Sequence, residues 1–262
     1  MTSRGTGHRT HRKSDEPFVR ELVLLRNRVE DWARYPFSIP AVNHLDMLVL
    51  HPKVTFFVGE NGSGKSTLIE AIALAMGFNA EGGSRNFSFS TRATESKLHE
   101  YLRVVRGAWR PRTGFFLRAE SFFNVASVID DLGVQNSHGG KSLHEQSHGE
   151  AFLALVTERF GSDGMYLLDE PEAALSPQRQ LSLLAEFDRL VQRDRSQLVV
   201  STHSPILLAY PHARIYSLTN DGLVEVQYED TKHYSLTKDF LLNRDRYFRR
   251  LFGDADGGTS GG

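Results

Sequence analysis

Gly59-Glu60-Asn61-Gly62-Ser63-Gly64-Lys65-Ser66-Thr67 is the stretch that decides the fold. It matches the phosphate-binding P-loop pattern G-x-x-x-x-G-K-[ST]. Residues 54–58 before it predict a short buried strand, and residues 68–75 after it predict a helix. A glycine-rich turn between a strand and a helix N-terminus directs backbone N–H groups and the helix dipole toward an anion. A flexible glycine loop without a ligand is the alternative that these flanks disfavour.

The predicted roles within this stretch follow from chemistry. Lys65 would reach the β- and γ-phosphates of a nucleotide, and the Ser66 hydroxyl would bind Mg²⁺. The residues predicted to hold the phosphates are Gly59, Asn61, Gly62, Ser63, Gly64, Lys65, Ser66 and Thr67.

Composition limits the class of protein. The 262 residues are 40% hydrophobic and 24% charged, as in a globular protein of one large domain or two small ones. A net charge of -1 gives no global attraction to nucleic acid or membrane. The chain has no cysteine, which excludes disulfides and thiolate chemistry. It also lacks an apolar run of the roughly 20 residues that span a bilayer. We therefore expect a cytoplasmic protein without direct membrane insertion.

Both ends of the chain are polar. Residues 1–16 are predicted to be a disordered basic tail, for which a solvated tail is the default reading and nucleic-acid binding the alternative. Residues 253–262 are predicted to be a flexible tail. The segment between them, 17–252, is expected to form a single domain.

An apolar run over residues 164–168 leads into Asp169 and Glu170. In nucleotide-hydrolysing enzymes, such a strand places one carboxylate beside Mg²⁺ and the next toward the γ-phosphate, where it accepts the proton of the attacking water. Two acidic residues at the start of an ordinary loop are the alternative.

His203 is predicted to lie at the end of a further strand, in addition to the strands that lead into the P-loop and into Asp169-Glu170. Ser176-Pro177 would open a helix to about Arg193, with Ser176 as the N-cap. The next strand, 197–203, ends in His203, about 33 positions after Glu170. In a parallel sheet this spacing returns His203 to the nucleotide edge. A purely structural histidine is the alternative.

Other segments are predicted more coarsely. Residues 18–24, 45–50 and 114–120 indicate strands, residues 93–106 and 122–132 helices, and residues 213–228 a hairpin around Asp221-Gly222. Residues 235–252 indicate one terminal helix. Tyr35 or Phe37 would either stack on adenine or, as we expect, pack in the core.

The ordered set of motifs resembles the ATP-binding cassette (ABC) ATPases over about residues 18–220. The set comprises the P-loop, a strand that leads into Glu120, the segment Ser147-His148-Gly149-Glu150, the Asp169-Glu170 pair and His203. Three segments resemble those of a group of small, stand-alone bacterial predicted ATPases: Val58 to Ser66, Phe116 to Phe123 and Ser147 to Glu150. The resemblance implies an α/β P-loop NTPase fold of ABC-ATPase type. Its mixed core sheet would be flanked by helices, with an N-terminal antiparallel sheet and a small helical subdomain at about residues 78–150.

The resemblance also implies cofactors, partners and roles. ATP and Mg²⁺ would lie between two subunits of a head-to-tail, ATP-dependent homodimer. The signature residues Ser147, Gly149 and Glu150 would close on the γ-phosphate of the partner subunit. Glu170 resembles the catalytic base and His203 the switch histidine. Asp169 and Ser66 would hold Mg²⁺, with Glu120 at the position of the usual glutamine ligand.

Two departures from the family pattern affect the functional reading. Glu120 replaces the usual glutamine, and Ser-His-Gly-Glu replaces the transporter-like Ser-Gly-Gly-Gln, so a membrane-transporter subunit is the less expected function. The main prediction is an ATP-hydrolysing ABC-type ATPase that drives an unidentified partner protein. A DNA-repair or phage-defence ATPase is the alternative, with DNA contacted by arginines in 103–112 or 244–250. Only about 80 residues separate Lys65 from Ser147, too few for a long coiled-coil arm. A nucleotide sensor without turnover is a further alternative.

Overall fold

A computed structural model describes residues 16–80, 82–84, 96–120 and 148–253. The predicted N-terminal tail, the predicted helix at 122–132, Ser147 and residues 254–262 lie outside this part of the chain. The strands described are β1 (Val19–Leu24), β2 (Met47–Val49), β3 (Val54–Gly59), β4 (Gly83–Ser84), β5 (Leu102–Arg106), β6 (Thr113–Arg118), β7 (Gly164–Asp169), β8 (Gln197–Ser201), β9 (Ala213–Thr219) and β10 (Gly222–Val226).

The α-helices of the same residues are α1 (Pro40–Asn43), α2 (Lys65–Ala75), α3 (His148–Arg159), α4 (Pro177–Asp188), α5 (Pro205–Leu208), α6 (Lys232–Leu242) and α7 (Arg244–Phe252). A π-helical turn, Arg189–Arg193, extends α4. Short 3₁₀ segments lie at Arg26–Arg28, Lys97–Tyr101, Pro171–Ala174 and Tyr228–Asp230.

A seven-stranded mixed sheet forms the centre of the molecule. Its order is β10-β9-β3-β8-β7-β6-β4, and the five inner strands are parallel. The outer strands β10 and β4 are antiparallel to their neighbours. A second sheet, β2-β1-β5, is antiparallel throughout. The mixed core sheet and the N-terminal antiparallel sheet are both as predicted.

Successive residues of the inner strands serve two different cores. Phe56 and Leu168 pack on one face with Phe152 of α3 and Phe187 of α4. Their chain neighbours Phe57 and Leu167 pack on the other face with α2 and the small antiparallel sheet. Because both faces are covered, these strands are apolar throughout, as buried parallel strands usually are.

Two predictions about local structure are wrong. The sequence pattern predicts a helix over residues 93–106, but Lys97–Tyr101 is a 3₁₀ turn and Leu102–Arg106 is a strand paired with β1. Within the segment predicted as a helical subdomain, about residues 78–150, the described residues include the strands β5 and β6. The single terminal helix predicted over 235–252 is two helices, which meet at Asn243.

Candidate nucleotide-binding site

The carboxyl ends of the parallel strands bring distant motifs to one edge of the sheet. Phe57 is level with Ser201, Ser201 with Asp169, and Asp169 with Arg118. The segments that continue from these strands therefore lie side by side. Such an edge is where open α/β sheets bind their ligands.

The P-loop turn depends on glycine at two positions. Gly62 and Gly64 have φ values of +80° and +98°, in the left-handed region that favours glycine. A Cβ on Gly64 would also lie 2.7 Å from Cγ2 of Ile39. The turn leads directly into α2, which begins at Lys65. Within the described residues, the buried Oγ of Ser63 has no hydrogen-bond partner, so the loop leaves a donor for a ligand.

The Lys65 ammonium group is almost completely buried, with 3% of its side chain exposed. Its Nζ donates to the carbonyl oxygens of Gly59, at 3.1 Å, and Glu60, at 3.2 Å. Burial lowers the pKa of Lys65, while the nearby carboxylates, with Glu170 foremost, act in the opposite direction. A buried cation beside a helix N-terminus suits a polyphosphate ligand.

Ser66 and Asp169 form the candidate Mg²⁺ site. The Ser66 hydroxyl donates to Oδ1 of Asp169 at 3.2 Å, and the Ser201 hydroxyl donates to the same oxygen. Burial raises the pKa of Asp169, opposed by the Ser201 hydrogen bond and by Arg118. A hydroxyl and a carboxylate are oxygen ligands of the kind that Mg²⁺ takes beside phosphates. These two residues therefore fit the cation.

Arg118 is a site residue that the sequence did not reveal. Its Nη1 lies 2.8 Å from Oε2 of Glu70 on α2, and its Nε lies 3.6 Å from Oδ2 of Asp169. The only sequence signal is its place at the end of β6, two residues before Glu120. Arg118 supplies a cation that balances the buried Asp169.

Glu170 has an unusual backbone conformation. Its φ of +50° and ψ of +51° lie in the left-handed region. Residues other than glycine rarely adopt this conformation, and those that do are often found at functional sites. Its backbone N–H donates to the Ser201 carbonyl at 3.0 Å. Its Oε1 lies 3.8 Å from Nζ of Lys65 and 3.3 Å from Nε2 of His203. One carboxylate oxygen is thus shared between the P-loop lysine and the predicted switch histidine.

His203 is held from two sides by residues absent from the sequence-based prediction. Its backbone N–H donates to Oε1 of Glu172 at 2.5 Å, and Thr202 Oγ1 donates to Oε2 of Glu172 at 2.7 Å. Its Nδ1 lies 2.9 Å from Nε2 of His233, at the start of α6. Glu172 lies two positions after Glu170, a cue the sequence offers, whereas nothing in the sequence points to His233.

The remaining predicted residues are only partly described. Glu120 is exposed and follows β6 by two residues. Gly149 and Glu150 lie in the first turn of α3, while Ser147 lies outside the described residues. A Cβ on Gly149 would be 3.0 Å from the Ala174 carbonyl oxygen. Gly149 of the candidate signature therefore packs against the loop that follows Glu170.

The two aromatic candidates for the base have different surroundings. Phe37 is buried and packs edge-on against Tyr101, as expected for a core residue. Tyr35 is 58% exposed, and its hydroxyl lies 3.2 Å from Oγ1 of Thr67. Core packing is therefore wrong for Tyr35, which lies beside the P-loop helix.

The predicted arginine patches are partly neutralised. Arg112 contacts Asp163 at 3.9 Å, Arg244 contacts Asp245 at 3.5 Å, and Arg246 forms an ion pair with Asp239. Among the described residues, no helix combines the length and apolar character needed to cross a membrane.

Comparisons with known proteins indicate the family of the chain. A family model described as an AAA domain matches residues 38–123. A second, described as an AAA domain, putative AbiEii toxin of a type IV TA system, matches residues 142–209. The nickel import ATP-binding protein NikO of Rhodobacter capsulatus is 30% identical over 200 residues, covering 66% of this chain and 77% of NikO. The zinc transport ATP-binding protein AdcC of Streptococcus pneumoniae is 23% identical, covering 68% and 82%.

Solved structures with a similar course of the chain include an inward-facing conformation of a putative metal-chelate type ABC transporter. Its TM-score is 0.48 and its sequence identity 15%, and the match covers 85% of this chain and 88% of that chain. Another is the SMC head domain of Thermotoga maritima, with a TM-score of 0.43 and 17% identity over 80% and 98%.

The strand–P-loop–helix unit and the acidic strand end beside it define a P-loop NTPase. Within that class, the chain belongs to the ABC-type ATPase family, as its motif order and its similarity to NikO establish.

Proposed function

We propose that the chain hydrolyses ATP with Mg²⁺ in a head-to-tail homodimer. The observation that carries this proposal is the convergence on Glu170: one of its carboxylate oxygens lies 3.8 Å from the Lys65 ammonium and 3.3 Å from the His203 ring. A cation for the phosphates, a base for water and an imidazole donor thus surround one small volume.

The reaction would be in-line attack of water on the γ-phosphate. Lys65 and the P-loop backbone N–H groups would stabilise the charge on the transferred group. Glu170 would orient the attacking water and accept its proton. His203 would donate a hydrogen bond to a γ-phosphate oxygen.

Ser66 and Asp169 would hold Mg²⁺, with exposed Glu120 as a further carboxylate at the same edge of the sheet. The cation would neutralise phosphate charge. The Ser201 hydrogen bond orients Asp169, and together with Arg118 it favours the ionised carboxylate, against the effect of burial, as a metal-ligating carboxylate requires.

Each site would be completed by the partner subunit. Ser147, Gly149 and Glu150 would contact the γ-phosphate held by the other P-loop. The packing of Gly149 against the loop after Glu170 would couple the signature, engaged in one site, to the catalytic carboxylate of its own subunit in the other site. The dimer cycle would act on a partner protein.

The test is the steady-state ATPase rate against protein concentration. Glu170→Gln should lower kcat by at least about 100-fold, as expected for loss of a general base. Glu100→Gln, an exposed residue on a 3₁₀ turn, is the control and should keep wild-type activity. Specific activity should rise with concentration as dimers form. A rate that is unaffected by Glu170→Gln would overturn the proposed mechanism.

A role in defence or DNA repair is the second candidate function. It is favoured by the family model over residues 142–209, whose description includes a putative AbiEii toxin. DNA contact would use Arg103 and Arg106 on β5, both exposed, or the arginines of α7. Salt-sensitive binding to duplex DNA would support it, and no binding at low salt would reject the DNA contact.

An ATPase subunit of a transporter is the third candidate function, because NikO is named as a nickel import protein and AdcC as part of a zinc transport system. Glu120 and the Ser-His-Gly-Glu signature weigh against it. Co-purification with an integral membrane protein would support it.

A further inference from the structure

We propose that His233 is a positioning residue for His203. The Nε2–H of His233 donates to Nδ1 of His203 and holds the His203 ring in the tautomer whose proton is on Nε2, toward Glu170. The effect on turnover rests on the proposed ATPase, whereas the tautomer is a property of the protein alone.

The contact between the two rings requires a defined proton arrangement. Nδ1 of His203 and Nε2 of His233 are 2.9 Å apart, and the rings are tilted by 59° with centroids 5.0 Å apart. A neutral imidazole has one nitrogen that donates and one that accepts. One ring must therefore donate and the other accept, which leaves two arrangements.

The surroundings of Nε2 on His203 select between them. This atom is buried and lies 3.3 Å from Oε1 of Glu170, without the geometry of a hydrogen bond. If His203 donated from Nδ1, its Nε2 lone pair would face the carboxylate, which is repulsive. If His233 donates, an N–H faces the carboxylate, which is attractive. Of the two neutral arrangements, only the second offers a hydrogen-bond donor to a γ-phosphate.

His233 is suited to remain a neutral donor. Burial and the neighbouring His203 lower the pKa of His233, opposed by Glu60. A single proton on Nε2 of His233 then has a partner in Nδ1 of His203. In metal-bound and catalytic histidines, too, the hydrogen bond of one ring nitrogen decides whether the other nitrogen carries the proton.

The start of α6 is tied to the segment that carries His203. Thr231 caps α6 by accepting from the Tyr234 N–H at 3.4 Å, and it donates to the Tyr228 carbonyl at 2.7 Å. The Tyr228 hydroxyl donates to the Pro205 carbonyl at 2.9 Å. Because Pro205 follows His203 by two residues, the two histidines have little freedom to separate. His233 also lines a pocket of about 440 Å³ together with P-loop residues Glu60 and Gly62.

The first test measures the tautomer without nucleotide. Protein labelled with ¹⁵N-histidine would be studied by two-bond ¹H–¹⁵N correlation at neutral pH, with His203 assigned by loss of its signals in His203→Gln. We expect protonated Nε2 and bare Nδ1 in wild type, and intermediate shifts in His233→Ala. His233→Gln should keep the wild-type tautomer, because its side-chain amide can donate from the position of the imidazole Nε2.

The second test is kinetic. His233→Ala should lower kcat about tenfold with KM for ATP changed less than about twofold, since it disturbs a group that acts in the transition state. His233→Gln should recover most of kcat. His212→Ala changes an exposed histidine immediately before β9; it is the matched control and should behave as wild type.

The outcomes separate this proposal from the proposed function. A wild-type His203 protonated on Nδ1 would overturn the proposal whether or not the protein hydrolyses ATP. The same holds for a tautomer unchanged in His233→Ala. If wild type has no ATPase activity but His203 shows the expected tautomer and its dependence on His233, the positioning role stands and the hydrolysis proposal fails.

Discussion

Lys65 carries a positive charge that the fold buries at an energetic cost. The cost of removing an ammonium from water is only partly offset by two carbonyl oxygens and a carboxylate at 3.8 Å. Functional sites often retain such destabilised groups because the ligand supplies the missing interaction.

Lys65→Met should therefore separate stability from binding. We expect the ligand-free variant to melt at or above the wild-type temperature, because the buried charge is gone. The rise in melting temperature that ATP and Mg²⁺ give wild type should disappear. Thermal unfolding with and without ATP measures both. A variant that melts well below wild type would show that the carbonyl contacts of Lys65 outweigh its desolvation.

Tyr166 fixes the start of β7 to the preceding turn. Its ring is fully buried and stacks on Phe160 at 4.1 Å. Its hydroxyl donates to the Gly161 carbonyl at 2.9 Å and accepts from the Gly161 N–H at 2.7 Å. Burial raises the pKa of Tyr166 to about 12.

This raised pKa gives an alkaline dependence of stability. The unfolded chain loses the Tyr166 proton near pH 10, before the folded chain does, so the free energy of unfolding falls between about pH 10 and 12. Tyr166→Phe should cost about 1–3 kcal/mol at neutral pH and show a smaller fall above pH 10. Urea unfolding at several pH values tests this, with Tyr101→Phe as control. Parallel pH profiles for wild type and Tyr166→Phe would contradict it.

The contacts that the sequence could not predict come from residues far apart in the chain. Asp169 ends β7, Glu170 follows it and His203 lies two residues after β8, so parallel pairing alone predicts that they meet. Arg118 lies 48 residues from Glu70, and His203 lies 30 residues from His233. No local pattern marks these pairs, because their side chains meet only after the sheet and α6 have packed.

Among the elements, β5 shows how packing overrides a local pattern. Residues 102–106 have apolar spacing compatible with a helix, but Val104 and Val105 are β-branched and favour a strand. The edge of β1 that β2 leaves open provides the partner, in antiparallel register from Leu24–Leu102 to Glu21–Val105, with a register shift before Val19–Arg106. The P-loop strand and helix were predictable because their sequence pattern, turn chemistry and burial agree.

The contact between α3 and the loop after Glu170 depends on a glycine. Alanine at a helical position normally gains up to about 1 kcal/mol over glycine. At Gly149, however, the added methyl would lie 3.0 Å from the Ala174 carbonyl and 2.8 Å from Cδ of Arg179. The backbone contact cannot relax cheaply, so overpacking should dominate.

Gly149→Ala should therefore lower the free energy of unfolding by about 1–2 kcal/mol and also lower kcat, with ATP binding retained. Urea unfolding, steady-state kinetics and nucleotide binding measure the three quantities. Gly161→Ala is the matched control, because a Cβ added there would have no neighbouring atom within 4 Å, and it should change little. Equal effects of the two substitutions would show that close packing at Gly149 is unimportant.

At the scale of the whole molecule, the proposed site is divided between two subunits. Lys65→Met inactivates the P-loop of its own chain but leaves its signature intact. Ser147→Arg blocks the signature but leaves the P-loop intact. In a head-to-tail dimer, a mixed pair contains one intact site, formed by the P-loop of one variant and the signature of the other.

Mixing these two inactive variants should therefore restore activity. With random pairing, half of the dimers are mixed and each has one of two sites intact, so about a quarter of wild-type ATPase activity is expected. The control mixture is Lys65→Met with Glu170→Gln. Because Lys65 and Glu170 act in the same site, 3.8 Å apart, no mixed dimer of this pair contains an intact site. Activity that stays at background in both mixtures would mean that the signature acts within its own chain, or that hydrolysis needs both sites at once. A titration of wild type with Lys65→Met separates these two outcomes, because only a requirement for both sites predicts that mixed dimers are dead.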